Sequence, residues 1–132
     1  MSKYLTFTDM AFKDRHLLVT ALRDLGCPEI QEGEGLPLGQ YYHEQTRQTA
    51  DVIVPRNTFG NAYGDIGFQR NQAGALTPIL DDLDRGQVLG GRFLPRLRLA
   101  YHERVVQTVA ARLRGTIQRT VEGHTIKFKV RY

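Results

Sequence analysis

The sequence predicts one α+β domain spanning residues 1–132. A mainly antiparallel sheet of about five or six strands carries two or three helices packed on one face. Three observations lead there. Short runs such as Thr49 to Val54 and Ile126 to Tyr132 alternate apolar and polar residues at a period of two. Two longer stretches, around Leu17–Leu25 and Leu97–Leu113, repeat apolar residues at helical spacing. The strand-like runs are grouped together and do not alternate one by one with helices, as a parallel sheet would require.

The elements follow in order. Lys3 to Phe12 alternates loosely and reads as a strand. Asp14 is placed as an N-cap before a helix whose stripe is Leu17, Leu18, Ala21, Leu22 and Leu25. Gly26 and Pro28 end it, because glycine accepts the left-handed C′ conformation and proline cannot continue a helix. Glu29 to Gly39 is rich in Gly, Pro and Glu and reads as a loop or the approach to a strand. Its glycines lack the spacing and the Lys-Ser/Thr of a phosphate-binding loop. Thr49 to Val54 is a strand with Ala50, Val52 and Val54 on one face and Asp51 and Ile53 on the other. Asp65 to Arg70 is the next, with Ile66 and Phe68 facing one way, and the two form an antiparallel hairpin.

Thr77-Pro78 reads as a helix opening, with Thr as N-cap, Pro in the first turn and Gly86 as the stop. Gly90-Gly91 reads as a flexible break. The longest helix then begins near Pro95 and carries Leu97, Tyr101, Val105, Val109 and Leu113 at intervals of four, flanked by Leu94, Val106 and Ala110. The tail is a hairpin turning at Glu122-Gly123, with Lys127, Lys129 and Arg131 on the solvated face of its last strand.

Composition bounds the function. Hydrophobic residues make up 41% and charged ones 24%, which is globular usage and excludes a disordered chain. No apolar run approaches the ~20 residues of a membrane span, and Met1 to Asp14 lacks the pattern of a signal peptide. Cys27 is the only cysteine, so no internal disulfide forms and a reducing cytoplasm is the expected compartment. The charge is unevenly spread. Residues 1–84 hold 12 Asp/Glu against 7 Lys/Arg, and residues 85–132 hold 11 Lys/Arg against 2 Asp/Glu. Either the basic half folds against the acidic half, or it presents a surface to an acidic partner or nucleic acid.

Catalytic chemistry finds little support. The four histidines are scattered, and Val106 stands where a zinc-protease motif needs a second histidine after His102. No metal site and no cofactor is expected. Ser2 is the only serine, with no nucleophile elbow around it. Asp81, Asp82 and Asp84 form the densest acidic group and read as solvated. Nucleic acid would be held by Arg96, Arg98, Arg104, Arg112 and Arg114, with Lys127, Lys129 and Arg131 beside them, because phosphates select clustered cations.

Three segments carry a family resemblance. They are Gln45-Thr46-Arg47-Gln48-Thr49-Ala50-Asp51-Val52-Ile53-Val54, then Tyr63-Gly64-Asp65-Ile66-Gly67-Phe68, and Arg92 to Val106 with Ala100-Tyr101-His102. Together they resemble the domain of unknown function 1257 family, the plastid hypothetical reading frame thirty-five group. Its members are small proteins encoded in cyanobacteria, other bacteria and some algal plastids. The glycine-rich Gly33 to Gly39 and the aromatic-poor Asp84 to Gly91 depart from the family pattern. The family carries no assigned reaction. The resemblance implies work inside an assembly, in the company of AAA+ ATPases.

The leading expectation is therefore a non-enzymatic interaction protein, an adaptor or subunit with a protein partner and no membrane role. The alternative is a nucleic-acid-binding protein using the arginine-rich half. A third reading is a small enzyme whose site joins His102, Asp65 and Tyr63, the polar residues of the resembling segments. A bland role for each is equally open: Asp65 satisfying a turn, Tyr63 packing, and His102 capping part of the core.

Overall fold

The computed structural model describes residues 4–40, 46–60, 62–84, 86, 89–113, 117–122 and 125–130, with the side chains of residues 89, 90, 117–122 and 125–130 left undescribed. The chain runs β1 (Tyr4–Thr6), α1 (Arg15–Asp24), β2 (Gln31–Pro37), β3 (Thr49–Val54), β4 (Ile66–Arg70), β5 (Leu76–Asp81), α2 (Leu94–Arg112), β6 (Ile117–Glu122) and β7 (Thr125–Val130). Strands β1 to β5 form one antiparallel sheet in the order β1-β5-β4-β3-β2, and β6 with β7 forms a separate antiparallel ribbon. The fold is α+β, as the sequence predicts.

Strands β2 to β5 are a meander, and β1 is added at its far edge beside β5. Helix α1 is therefore the connection from one edge of the sheet to the other. It begins where the sequence places it: the Asp14 carboxylate accepts the Leu17 amide at 3.1 Å. It ends in a Schellman arrangement, with Gly26 N donating to Arg23 O at 3.0 Å and Cys27 N to Leu22 O at 3.1 Å. Gly26 sits at φ +89°, the left-handed conformation that arrangement requires.

Both faces of the sheet are apolar, but unequally. Val52, Val54, Ile66, Phe68, Leu76 and Leu80 form the main core with Leu18, Val19, Ala21 and Leu22 of α1 and Leu94, Leu97 and Tyr101 of α2. Both helices thus cover one face. Leu38, Ala50, Ile53 and Ile79 make a smaller cluster on the other, with Tyr4 and Leu36 packed against it. Tyr101 joins the layers. Its ring meets Phe12 edge-on at 4.9 Å, and its hydroxyl accepts the Asp14 amide at 3.0 Å.

Four expectations are corrected. Thr77-Pro78 does not open a helix; both residues lie in β5, whose six residues are all buried. The cause is the preceding turn. Asn71 accepts the amides of Ala73 and Ala75 on its side-chain oxygen, each at 3.0 Å, and Gly74 takes φ +82°. The chain is thereby sent straight back along β4. Pro78 is tolerated because of where its missing donor points. Its carbonyl accepts Phe7 N at 2.9 Å, so its nitrogen faces the same side, where β1 has just ended at Thr6.

Ala50 belongs to the cluster with Ile53, not with Val52 and Val54. The register against β2 shifts between Glu32 and Leu36, and this irregularity turns the start of β3. Gly35, at φ +62°, lies within that shift, so the glycine-rich run is a bent edge strand. Gly90-Gly91 is a π-helical turn and not a break. Gly91 N donates to Gly86 O at 2.8 Å, and the turn over Leu89–Phe93 runs directly into α2. Finally, Glu122 pairs with Thr125 and is a strand residue, so it does not open the last hairpin's turn.

Gly67 shows how tightly the smaller cluster closes. A Cβ there would meet Ala50 Cβ at 2.8 Å, with Ile79 Cγ2 and Leu38 Cδ2 each at 2.9 Å. Ala50 Cβ is fixed to its backbone and cannot swing away. Gly67→Ala is expected to cost about 1–3 kcal/mol of unfolding free energy, read by chemical denaturation.

Candidate interaction surface

Two places concentrate polar or exposed functional groups. The first is at the smaller-cluster face of the sheet, where Asp65, Asp81 and Asp84 gather around Tyr4. Each carboxylate is occupied by donors. Asp65 accepts Gly39 N and Arg56 N, each at 2.8 Å. Asp81, fully buried, accepts Gln40 Nε2 at 2.6 Å and Leu83 N at 2.9 Å. Asp84 accepts Tyr63 N at 2.9 Å and Gly64 N at 3.0 Å. The Tyr4 hydroxyl donates to Gly39 O at 2.9 Å. Burial, reinforced by the three aspartates, pushes that hydroxyl well above the usual tyrosine range. Burial also raises the Asp84 carboxyl, and neighbouring Asp81 adds to the rise.

This cluster is a bracket that gathers loops. Its oxygens hold backbone amides from four separate segments. Among the described residues no group of three His, Cys, Asp or Glu is arranged to hold a metal ion. Gly64 is part of the bracket for a steric reason: a Cβ there would lie 2.6 Å from the Tyr4 hydroxyl. The glycines of the Tyr63–Phe68 segment are thus explained by close packing.

The structure brings Asp65 and the Tyr63 backbone into this bracket but leaves His102 outside it. His102 is exposed on α2, the helix that covers the opposite face, with its ring 6.3 Å from that of Tyr101. Asp81 and Asp84, read from sequence as solvated, are the bracket's inner members. No local signal marks them, because Asp81 meets a residue 41 positions away.

The second place is the outer side of α2. Its buried residues are Leu94, Leu97 and Tyr101. Leu99, Val106 and Val109 are exposed at 71%, 57% and 40%. Leu99, His102, Val106 and Val109 succeed one another at intervals of three, four and three, the spacing of a coiled-coil seam. The expected stripe Leu97, Tyr101, Val105, Val109 advances in fours, which overshoots a 3.6-residue turn by about 40° each step. By Val109 it has rotated out of the core.

The arginines separate into distinct settings. Arg104 forms a bidentate pair with Asp24 of α1 at 2.6 and 2.7 Å, and these hydrogen bonds hold the Asp24 carboxyl below its usual range. Arg92, Arg96, Arg98 and Arg112 are exposed, and among the described residues none forms a salt bridge. Among the described residues, one salt bridge therefore joins the acidic half to the basic half. Arg114 and Arg131 lie outside the described residues. Lys127 and Lys129 are placed in β7 by backbone, opposite Thr120 and Gln118. Among the described residues no helix is long and apolar enough to cross a membrane.

Compared with protein-family models, with curated proteins and with solved structures, the chain finds no match.

Proposed function

We propose that the protein is a non-enzymatic interaction module that docks an acidic, amphipathic helix of a protein partner along the outer side of α2. The observation that carries this reading is the exposed seam of Leu99, Val106 and Val109, rimmed by Arg96 and Arg98. Exposed apolar side chains at heptad spacing offer a partner helix area to bury. The arginines beside them, which form no salt bridge among the described residues, select negative charge and raise the association rate. The resemblance adds an AAA+ ATPase assembly as the setting, and the lone Cys27 fits a reducing cytoplasm.

The test uses two exposed positions, so the fold is not at risk. Wild-type protein and the Leu99→Glu/Val106→Glu variant are used as bait in the native host after in-cell cross-linking. A stoichiometric partner bearing an acidic amphipathic helix should be captured by the wild type. Reconstituted binding should fall at least tenfold in the variant and weaken as salt rises. Equal capture by both, or no stoichiometric partner, overturns the reading. A wild-type dimer in sedimentation that the variant lacks would assign the seam to a second copy. A gel-shift with RNA or DNA that survives in the variant but not in Arg96→Glu/Arg98→Glu would transfer the arginines to nucleic acid.

A further inference from the structure

A cavity of about 320 Å³ opens where the end of α1 meets the start of α2. Cys27, Thr58, Phe59, Arg92, Phe93 and Arg96 line it, with the last turn of α1 at its rim. Its volume is at the lower end of the ~300–1,000 Å³ typical of small-molecule sites.

Its parts divide by chemistry. Phe59 and Phe93 meet edge-on at 4.8 Å and give it an aromatic wall. Phe93 and Cys27 are buried, at 7% and 1% exposure, so this wall is continuous with the core and does not yield. Burial raises the Cys27 thiol, which keeps it neutral and makes it part of the apolar lining. Arg92 and Arg96 stand one helical turn apart, both exposed, and neither forms a salt bridge among the described residues. Two guanidiniums lining one cavity offer an oxyanion two sets of hydrogen-bond donors.

The helix ends do not oppose that charge. The carbonyls closing α1 are already taken by Leu25, Gly26 and Cys27 amides, so little negative potential is left on that side. Helix α2 continues the π-helical turn over Leu89–Phe93, and its first turn carries no acidic residue that would compete for Arg92 and Arg96.

We infer that this cavity binds a small oxyanion carried on a flat apolar body, an aryl phosphate or aryl carboxylate. The ring would lie against Phe59 and Phe93, and the anion between Arg92 and Arg96. The site shares Arg96 with the rim of the Leu99–Val109 seam, but none of the seam's apolar residues lines it.

The probes are phenyl phosphate, benzoate, inorganic phosphate and benzyl alcohol, titrated into the full chain and followed by amide chemical shifts. Phenyl phosphate or benzoate should bind at submillimolar concentration and shift Thr58, Phe59 and Phe93. Inorganic phosphate and benzyl alcohol should each bind at least tenfold more weakly, because each supplies one half of the recognition. Arg92→Ala/Arg96→Ala should lose at least tenfold in affinity while keeping the wild-type melting profile. Leu99→Glu/Val106→Glu should bind the probes as the wild type does. Equal binding of phenyl phosphate and inorganic phosphate, binding unchanged by the arginine pair, or no binding of either aryl anion overturns the assignment.

Discussion

Replacing Phe12 by alanine is expected to lower the free energy of unfolding by about 3–5 kcal/mol, read from urea denaturation. Phe12 is 1% exposed and stands between the two layers. Its ring meets Phe68 of β4 at 6.0 Å and Tyr101 of α2 at 4.9 Å, both edge-on. Its backbone exchanges two hydrogen bonds with Leu76, each at 2.8 Å, which fix the Cα in place. The neighbours cannot collapse into the vacated space, because one belongs to the sheet and the other to a helix anchored by the Asp14 amide. The loss is then the transfer free energy of the ring plus a cavity term. A domain of this size holds about 5–15 kcal/mol in all, so the variant should be near the edge of folding. Phe12→Leu refills most of the volume and should cost clearly less. A loss below about 1 kcal/mol for the alanine would show that the helices are held to the sheet elsewhere.

Local signals made much of this architecture legible. Asp14 and Gly26 bound α1 because capping is decided within a few residues of the cap. The period-two runs locate β3 and β4, and the long apolar repeat locates α2. The failures share a different origin. Thr77-Pro78 has the local chemistry of a helix start, but the Asn71 turn and the six buried positions of β5 override it. Ala50 changes face because the neighbouring strand β2 shifts register, which no property of β3 itself announces. On α2, apolar residues are spread so widely that spacing alone cannot say which arc meets the core. Leu94, Leu97 and Tyr101 are buried and Leu99, Val106 and Val109 are exposed. Only contact with α1 and the sheet decides that. The candidate seam and the Arg92–Arg96 cavity were hidden in the sequence for the same reason. Each is defined by what the rest of the fold leaves uncovered.

The aspartate bracket yields the second large effect. Asp81→Ala is expected to cost about 1–3 kcal/mol, because it takes a buried acceptor away from two partly buried donors. They are the Gln40 side-chain amide and the Leu83 backbone amide. Asp81→Asn keeps one of the two acceptor oxygens and the side chain's volume, and should lose markedly less. The charge has its own signature in pH. Burial raises the Asp84 carboxyl above the usual carboxylate range, the Tyr63 and Gly64 amides lower it in part, and the charge of Asp81 adds a smaller rise. A carboxyl raised in the folded state holds its proton more tightly there than in the unfolded chain. Its contribution is therefore fully present below the unfolded value and is lost as pH rises through the folded one. Asp81→Asn removes the like charge, lowers the Asp84 value toward the unfolded one and narrows that window. Denaturation midpoints measured at intervals upward from pH 3.5 should fall through this window less steeply in Asp81→Asn than in the wild type. Parallel profiles would mean that the two carboxylates do not sense each other, and that the bracket is held by its hydrogen bonds alone.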